Sequence, residues 1–76
     1  MDMYILVQDK TGIVTKFSDI CTESGRINSV VAYDNYTELN PILLGEYPTK
    51  ERCQEVVLDI LKAIRRRENT YEMPLE

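Results

Sequence analysis

Thr49-Lys50-Glu51-Arg52-Cys53-Gln54-Glu55-Val56-Val57-Leu58-Asp59-Ile60-Leu61-Lys62-Ala63-Ile64 is the stretch that decides the fold. Cys53, Val56, Val57, Ile60, Leu61 and Ile64 recur at steps of three, one, three, one and three, which is the spacing of one apolar helical face. Thr49 is placed to cap the first amides, Pro48 blocks strand pairing ahead of it, and Glu51 stands where the helix dipole favours an anion. Lys62, Arg65, Arg66 and Arg67 crowd the last turn, so the spacing predicts a helix that ends near Arg67.

Everything before this helix reads as short strands. Met3-Tyr4-Ile5-Leu6-Val7 and Ile13-Val14-Thr15 flank Gln8-Asp9-Lys10-Thr11-Gly12, a hairpin with Asp and Gly supplying the turn. Phe17 to Glu23 reads as a half-exposed strand bounded by Ser24-Gly25, and Ile27 to Tyr33 resumes from that turn. After the polar run from Asp34 to Glu38, Pro41 places the start of pairing at Ile42-Leu43-Leu44, and Gly45 marks a bulge or a close approach. The expectation is an α+β domain over residues 1–67: a four- or five-stranded antiparallel meander with one C-terminal amphipathic helix packed on one face. Residues 68–76 form an extended tail in which Tyr71, Met73 and Leu75 alternate with polar residues, as in a segment docked on one side.

The chain has 76 residues, a net charge of −4, two Cys and no His or Trp. Its longest apolar runs are far below the ~20 residues that span a bilayer, and no signal-peptide pattern opens it, so a cytoplasmic protein is expected. Without His, catalytic Ser-His and Cys-His pairs and His-ligated metal sites are excluded. Cys21 and Cys53 lie too far apart for a CxxC motif, and two free core thiols are expected. Residues 1–49 carry seven acids and three bases, which accounts for the whole net charge, so phosphate backbones would be repelled and nucleic acid is an improbable partner.

Four constellations remain as candidates. Glu51, Glu55 and Asp59 line one side of the helix, but Arg52 and Lys62 beside them favour a salt-bridged solvent face over a cation site, and no metal or cofactor is expected. Lys62, Arg65, Arg66 and Arg67 form a dense basic cluster, suited to phosphate groups or simply to helix termination. Tyr33, Asp34, Asn35 and Tyr36 form a polar-aromatic run able to stack on a ligand or partner. Leu58 breaks the helical pattern: at about 100° per residue it lies roughly 200° from Ile60, so it faces away from the sheet. With Leu61 it would form a strip for a weak two-fold homodimer.

Three stretches also carry a resemblance: Met3-Tyr4-Ile5-Leu6-Val7-Gln8-Asp9-Lys10; Ile42-Leu43-Leu44-Gly45-Glu46-Tyr47 running into Thr49-Lys50-Glu51-Arg52; and Tyr71-Glu72-Met73-Pro74. Together they resemble a group of small uncharacterised proteins of Gram-positive bacteria and their phages. The resemblance implies an accessory protein of phage or mobile-element type and assigns no catalytic residue. The function expected is a non-enzymatic protein-interaction module that binds a protein partner. The alternative is a small dimer that sequesters an anionic ligand such as a nucleotide between Tyr33, Tyr36 and the Lys62–Arg67 cluster.

Overall fold

The computed structural model of the chain describes residues 3–15, 17–33 and 41–76. Its elements run β1 (Tyr4–Leu6), β2 (Ile13–Val14), β3 (Asp19–Glu23), β4 (Asn28–Tyr33), β5 (Ile42–Tyr47), α1 (Lys50–Arg65) and β6 (Thr70–Glu72). The class is α+β, but the expected single four- or five-stranded sheet is replaced by two three-stranded sheets, ordered β2-β1-β6 and β3-β4-β5. Nor is the pairing wholly antiparallel, because β6 runs parallel to β1, with Ile5 opposite Tyr71. The helix is followed by a strand and is not the last element.

Residues Val7 to Gly12 make the hairpin. The Lys10 amide donates to Val7 O at 2.9 Å, the Val7 amide to Gly12 O at 3.1 Å, and Lys10 takes the left-handed conformation at φ 63°. Asp9 holds the turn by accepting from the Thr11 amide at 3.0 Å and from the Thr11 hydroxyl at 2.6 Å.

In the second sheet the register of β4 against β5 slips between Val30 and Val31: Val30 faces Gly45 and Val31 faces Leu43, leaving Leu44 as the extra residue. This is a bulge beside Gly45. Gly45 also provides the close approach expected of it, since a Cβ there would lie 2.9 Å from the Tyr47 hydroxyl. The Tyr47 side chain thus folds back over Gly45, and its hydroxyl donates to Pro74 O at 2.8 Å.

Thr49 caps α1 by accepting from the Arg52 amide at 3.0 Å. The helix buries Cys53, Val56, Ile60 and Ala63, leaves Val57 and Ile64 half-buried, and exposes Leu61, so its apolar stripe is rotated toward Ala63 relative to the expected one. It ends in a Schellman turn: Glu68 N donates to Ala63 O and Arg67 N to Ile64 O, both at 3.0 Å, with Arg67 left-handed at φ 59°.

The core joins Met3, Ile5 and Val14 of the first sheet to Val30, Ala32, Leu44 and Tyr47 of the second, under the helix. Met73 completes it from the tail at 4% exposure. That segment is tied down residue by residue: Tyr4 N donates to Asn69 O at 2.9 Å, Met73 N to Leu6 O at 3.0 Å, and Arg52 to Glu76 O through Nε and Nη2 at 3.0 and 2.9 Å. Burial of the Met73 side chain contributes about 1.5–3 kcal/mol to holding it.

Candidate functional site

Among the described residues a cleft of about 550 Å³ opens between the β1–β2 hairpin and β5. Its volume lies in the range of ligand-binding clefts. Ile13 and Val14 form one wall, Leu43 and Leu44 the other, and Asp9 and Glu46 stand among the lining residues, none of which is a cation. Leu44 is buried, whereas Ile13 is 62% and Leu43 49% exposed, so the cleft has apolar lips open to solvent.

One residue sets the width of this cleft. Gln8 leaves β1 and crosses to β5, where its amide donates to Leu44 O at 2.8 Å. Its side chain accepts from the Glu46 amide and donates to Glu46 O, each at 2.8 Å, and donates again to Leu75 O at 2.9 Å. The carboxamide therefore substitutes for a neighbouring strand along β5 and links both sheets to the tail. The sequence marks Gln8 only as a polar residue ending an apolar run, and neither it nor Ile13, Leu43 or Glu46 stands out as a site residue there.

Alternation of the antiparallel ladder decides what β2 presents. Val7 and Gly12 are a hydrogen-bonded pair, so Leu6 and Ile13, one step along, are a non-bonded pair. The main-chain N–H and C=O of Ile13 consequently turn away from β1, toward the open edge. Asp9 is held as the carboxylate, because hydrogen bonds from Thr11 lower its pKa from the ordinary value.

The residues singled out in the sequence lie elsewhere. Tyr33 ends β4, and its hydroxyl donates to Glu23. Glu23 pairs with Ser29, so the Tyr33 ring crosses the Cys21–Val31 pair on the face of the sheet away from the main core. The Glu23 hydrogen bond is the main reason its phenol is pushed up to about 12. Asp34 and Tyr36, with Asn35, lie outside the described residues.

Lys62 and Arg65 occupy the last turn of α1, and Arg66 and Arg67 its C-cap and Schellman turn. Among the described residues no hydrogen bond or ion pair joins this basic cluster to Tyr33. Leu58, at 56% exposure, and Leu61 lie exposed on the helix.

On the acidic side of the helix, Glu55 stands 4.0 Å from Arg52, and Asp59 accepts from the Tyr71 hydroxyl at 3.0 Å. Among the described residues no group of three His, Cys, Asp or Glu is arranged to hold a metal ion. Both cysteines are free. Burial pushes both thiols up from their ordinary pKa; at half-buried Cys21 the carboxylates of Glu23 and Asp19 push the same way. Thiolate nucleophiles are disfavoured at both positions. No helix among the described residues is long and apolar enough to cross a membrane.

Comparison with protein-family models, with curated proteins and with solved structures found no match to this chain.

Proposed function

We propose that the chain is a non-enzymatic protein-interaction module of the accessory kind carried by phages and mobile elements, acting in the cytosol on a protein partner. The observation that carries this reading is the cleft between the hairpin and β5, with exposed Ile13 and Leu43 at its lips and Asp9 and Glu46 among its lining residues. Apolar surface open to solvent with polar groups around it is the composition of a protein-binding patch. A binding role also suits the reactive groups present, since the chain has no His and burial disfavours both thiolates.

A photo-crosslinking amino acid placed in turn at Ile13, Leu43 and Gln54 tests the reading in the native host. The expected result is one defined protein adduct from the two cleft positions and none from Gln54, which lies exposed on the helix. The same partner, once purified, should bind the native chain and lose at least tenfold in affinity to Leu43→Asp. Absence of an adduct from either cleft position would overturn the proposal.

A weak homodimer is a second reading, supported by the exposure of Leu58 and Leu61 on one helix that carries Glu51 and Glu55 early and Lys62 and Arg65 late. Sequestration of an anionic nucleotide draws less support, because Tyr33 shares its hydroxyl with the Glu23 carboxylate, whose charge repels a phosphate.

A further inference from the structure

We infer that the edge of β2, open among the described residues, receives an extended segment of the partner protein as an added strand, and that this segment carries apolar residues and Lys or Arg on one face. The inference rests on the interaction-module reading and narrows it to one surface and one partner conformation.

Two sheet edges border the cleft, and they differ in what they leave free. Along β5 three main-chain groups are already taken at its Leu44–Glu46 end: Gln8 occupies Leu44 O with its main chain and both main-chain groups of Glu46 with its side chain. Along β2 the outward N–H and C=O of Ile13 face the open edge, because Leu6 and Ile13 are the non-bonded pair of their ladder. An edge with free donors and acceptors is a template for strand addition. Gln8 thus blocks the Leu44–Glu46 stretch of one edge and favours the other for an incoming chain.

Side chains decide which chain enters. Successive residues of an added strand point to opposite faces, so every second one meets the apolar lips at Ile13 and Leu43. Leu43 and Glu46, opposite Val31 and Ser29, share the face of β5 away from the main core, so a residue of the added strand that meets Leu43 stands on the same side as one that meets Glu46. With two carboxylates and no cation among the described lining residues, and with Asp9 kept ionised by Thr11, the matching charge on the partner is positive.

The test is a dodecapeptide phage-display selection on the full chain, followed by fluorescence anisotropy on the strongest synthetic peptide. Ile13→Pro is the informative variant: the Ile13 amide points outward, so proline removes it without breaking a β1–β2 hydrogen bond. Enriched peptides should carry β-branched or aromatic residues with Lys or Arg two positions away, on the same face of the strand. Affinity should fall at least tenfold on Ile13→Pro and at least threefold on Asp9→Asn combined with Glu46→Gln. N-methylation of alternate amides in the peptide should also cost at least tenfold, which reads the same hydrogen bonds without altering the protein's fold.

Absence of enrichment overturns the inference, as do peptides with helical spacing, binding indifferent to N-methylation, or self-association in light scattering that Ile13→Pro abolishes and Leu58→Glu leaves unchanged. Crosslinked partner from the cleft positions together with indifference to N-methylation retires strand addition and leaves the module reading standing. Loss of both adduct and peptide retires the two together.

Discussion

The Gln8 carboxamide and the main chain of Glu46 bond in both directions, each contact 2.8 Å long, across 38 positions of sequence. The same Nε2 donates to Leu75 O at 2.9 Å, so one side chain holds the hairpin, β5 and the tail in register. Each such bond is worth about 0.5–1.5 kcal/mol net, so Gln8→Ala should lower stability by about 2–3 kcal/mol in urea unfolding. Gln8→Glu discriminates further. It keeps an acceptor for the Glu46 amide but sets a carboxylate oxygen against two carbonyls, so it should be at least as damaging at pH 7 and recover relative to native as acid protonates it. A Gln8→Glu variant as stable as native at pH 7 would show that the clamp carries no weight.

Gly45 and Tyr47 form the second coupled pair. A Cβ at position 45 meets the Tyr47 ring at 2.9–3.1 Å, and the ring is held in place through its bond to Pro74 O. Gly45→Ala should therefore cost about 1–3 kcal/mol by overpacking. In a Tyr47→Leu background the same substitution should cost much less, and this non-additivity, measured as a double-mutant cycle, is the signature of the contact. Strict additivity of the two changes would contradict it.

What was legible in the sequence followed local physics. The Thr49 cap and the apolar spacing from Cys53 to Ile64 depend on neighbours three or four residues away, and the helix lies where they place it. The hairpin and the double role of Gly45 are local too. The division into two sheets was not legible, because strands of two or three residues such as Ile13–Val14 are too short for alternation to assign a face. Thr70–Glu72 pairs with β1 across almost the whole chain, a contact that local pattern does not encode; the alternation of Tyr71, Met73 and Leu75 gave the docked side at Met73 and in part at Tyr71, but Leu75 is 65% exposed. The cleft was hidden for the same reason: Gln8 acquires its role only from Glu46 and Leu75.

Arg67 is a non-glycine residue in the left-handed region at the position where a Schellman turn favours glycine. Relief of that strain, less the extra chain entropy of glycine, should make Arg67→Gly more stable by about 0.5–1 kcal/mol. In a domain of this size such a gain raises Tm by a few degrees, about 4–8 °C per kcal/mol. A Tm that falls in calorimetry would mean the arginine side chain makes a compensating contact.

Stability should decline at alkaline pH. Tyr33 is pushed up to about 12 chiefly by its Glu23 hydrogen bond, Tyr47 to about 12 by burial, and Tyr71 upward by burial and then by Asp59. In the unfolded chain these phenols ionise near 10, so above that pH the unfolded state binds fewer protons than the folded one. Their stabilising contribution is complete below pH 10 and is lost as pH rises from 10 to 12. The urea midpoint should thus begin to fall above about pH 8.5–9, where the unfolded chain's two thiols ionise before the folded ones, and drop further between pH 10 and 11, with a shallower drop in Tyr47→Phe. A midpoint unchanged at pH 11 would contradict the assignment.

Leu58 decides the oligomeric reading. It lies 56% exposed on α1 with Leu61 three residues on, between Glu51 and Glu55 toward one end and Lys62 and Arg65 toward the other. Two such helices meeting antiparallel across a two-fold axis set the acidic first turn of each beside the basic last turn of the other. Burial of Leu58 contributes about 1.5–3 kcal/mol per side, enough for a weak dimer once the charges are matched. Light scattering across micromolar concentrations should show self-association of the native chain that weakens in high salt and vanishes in Leu58→Glu. Glu55→Lys should weaken it as well, by setting like charges against Lys62 or Arg65 of the second copy. A native chain that stays monomeric at every concentration would end the dimer reading, and so would a dimer that persists in Leu58→Glu.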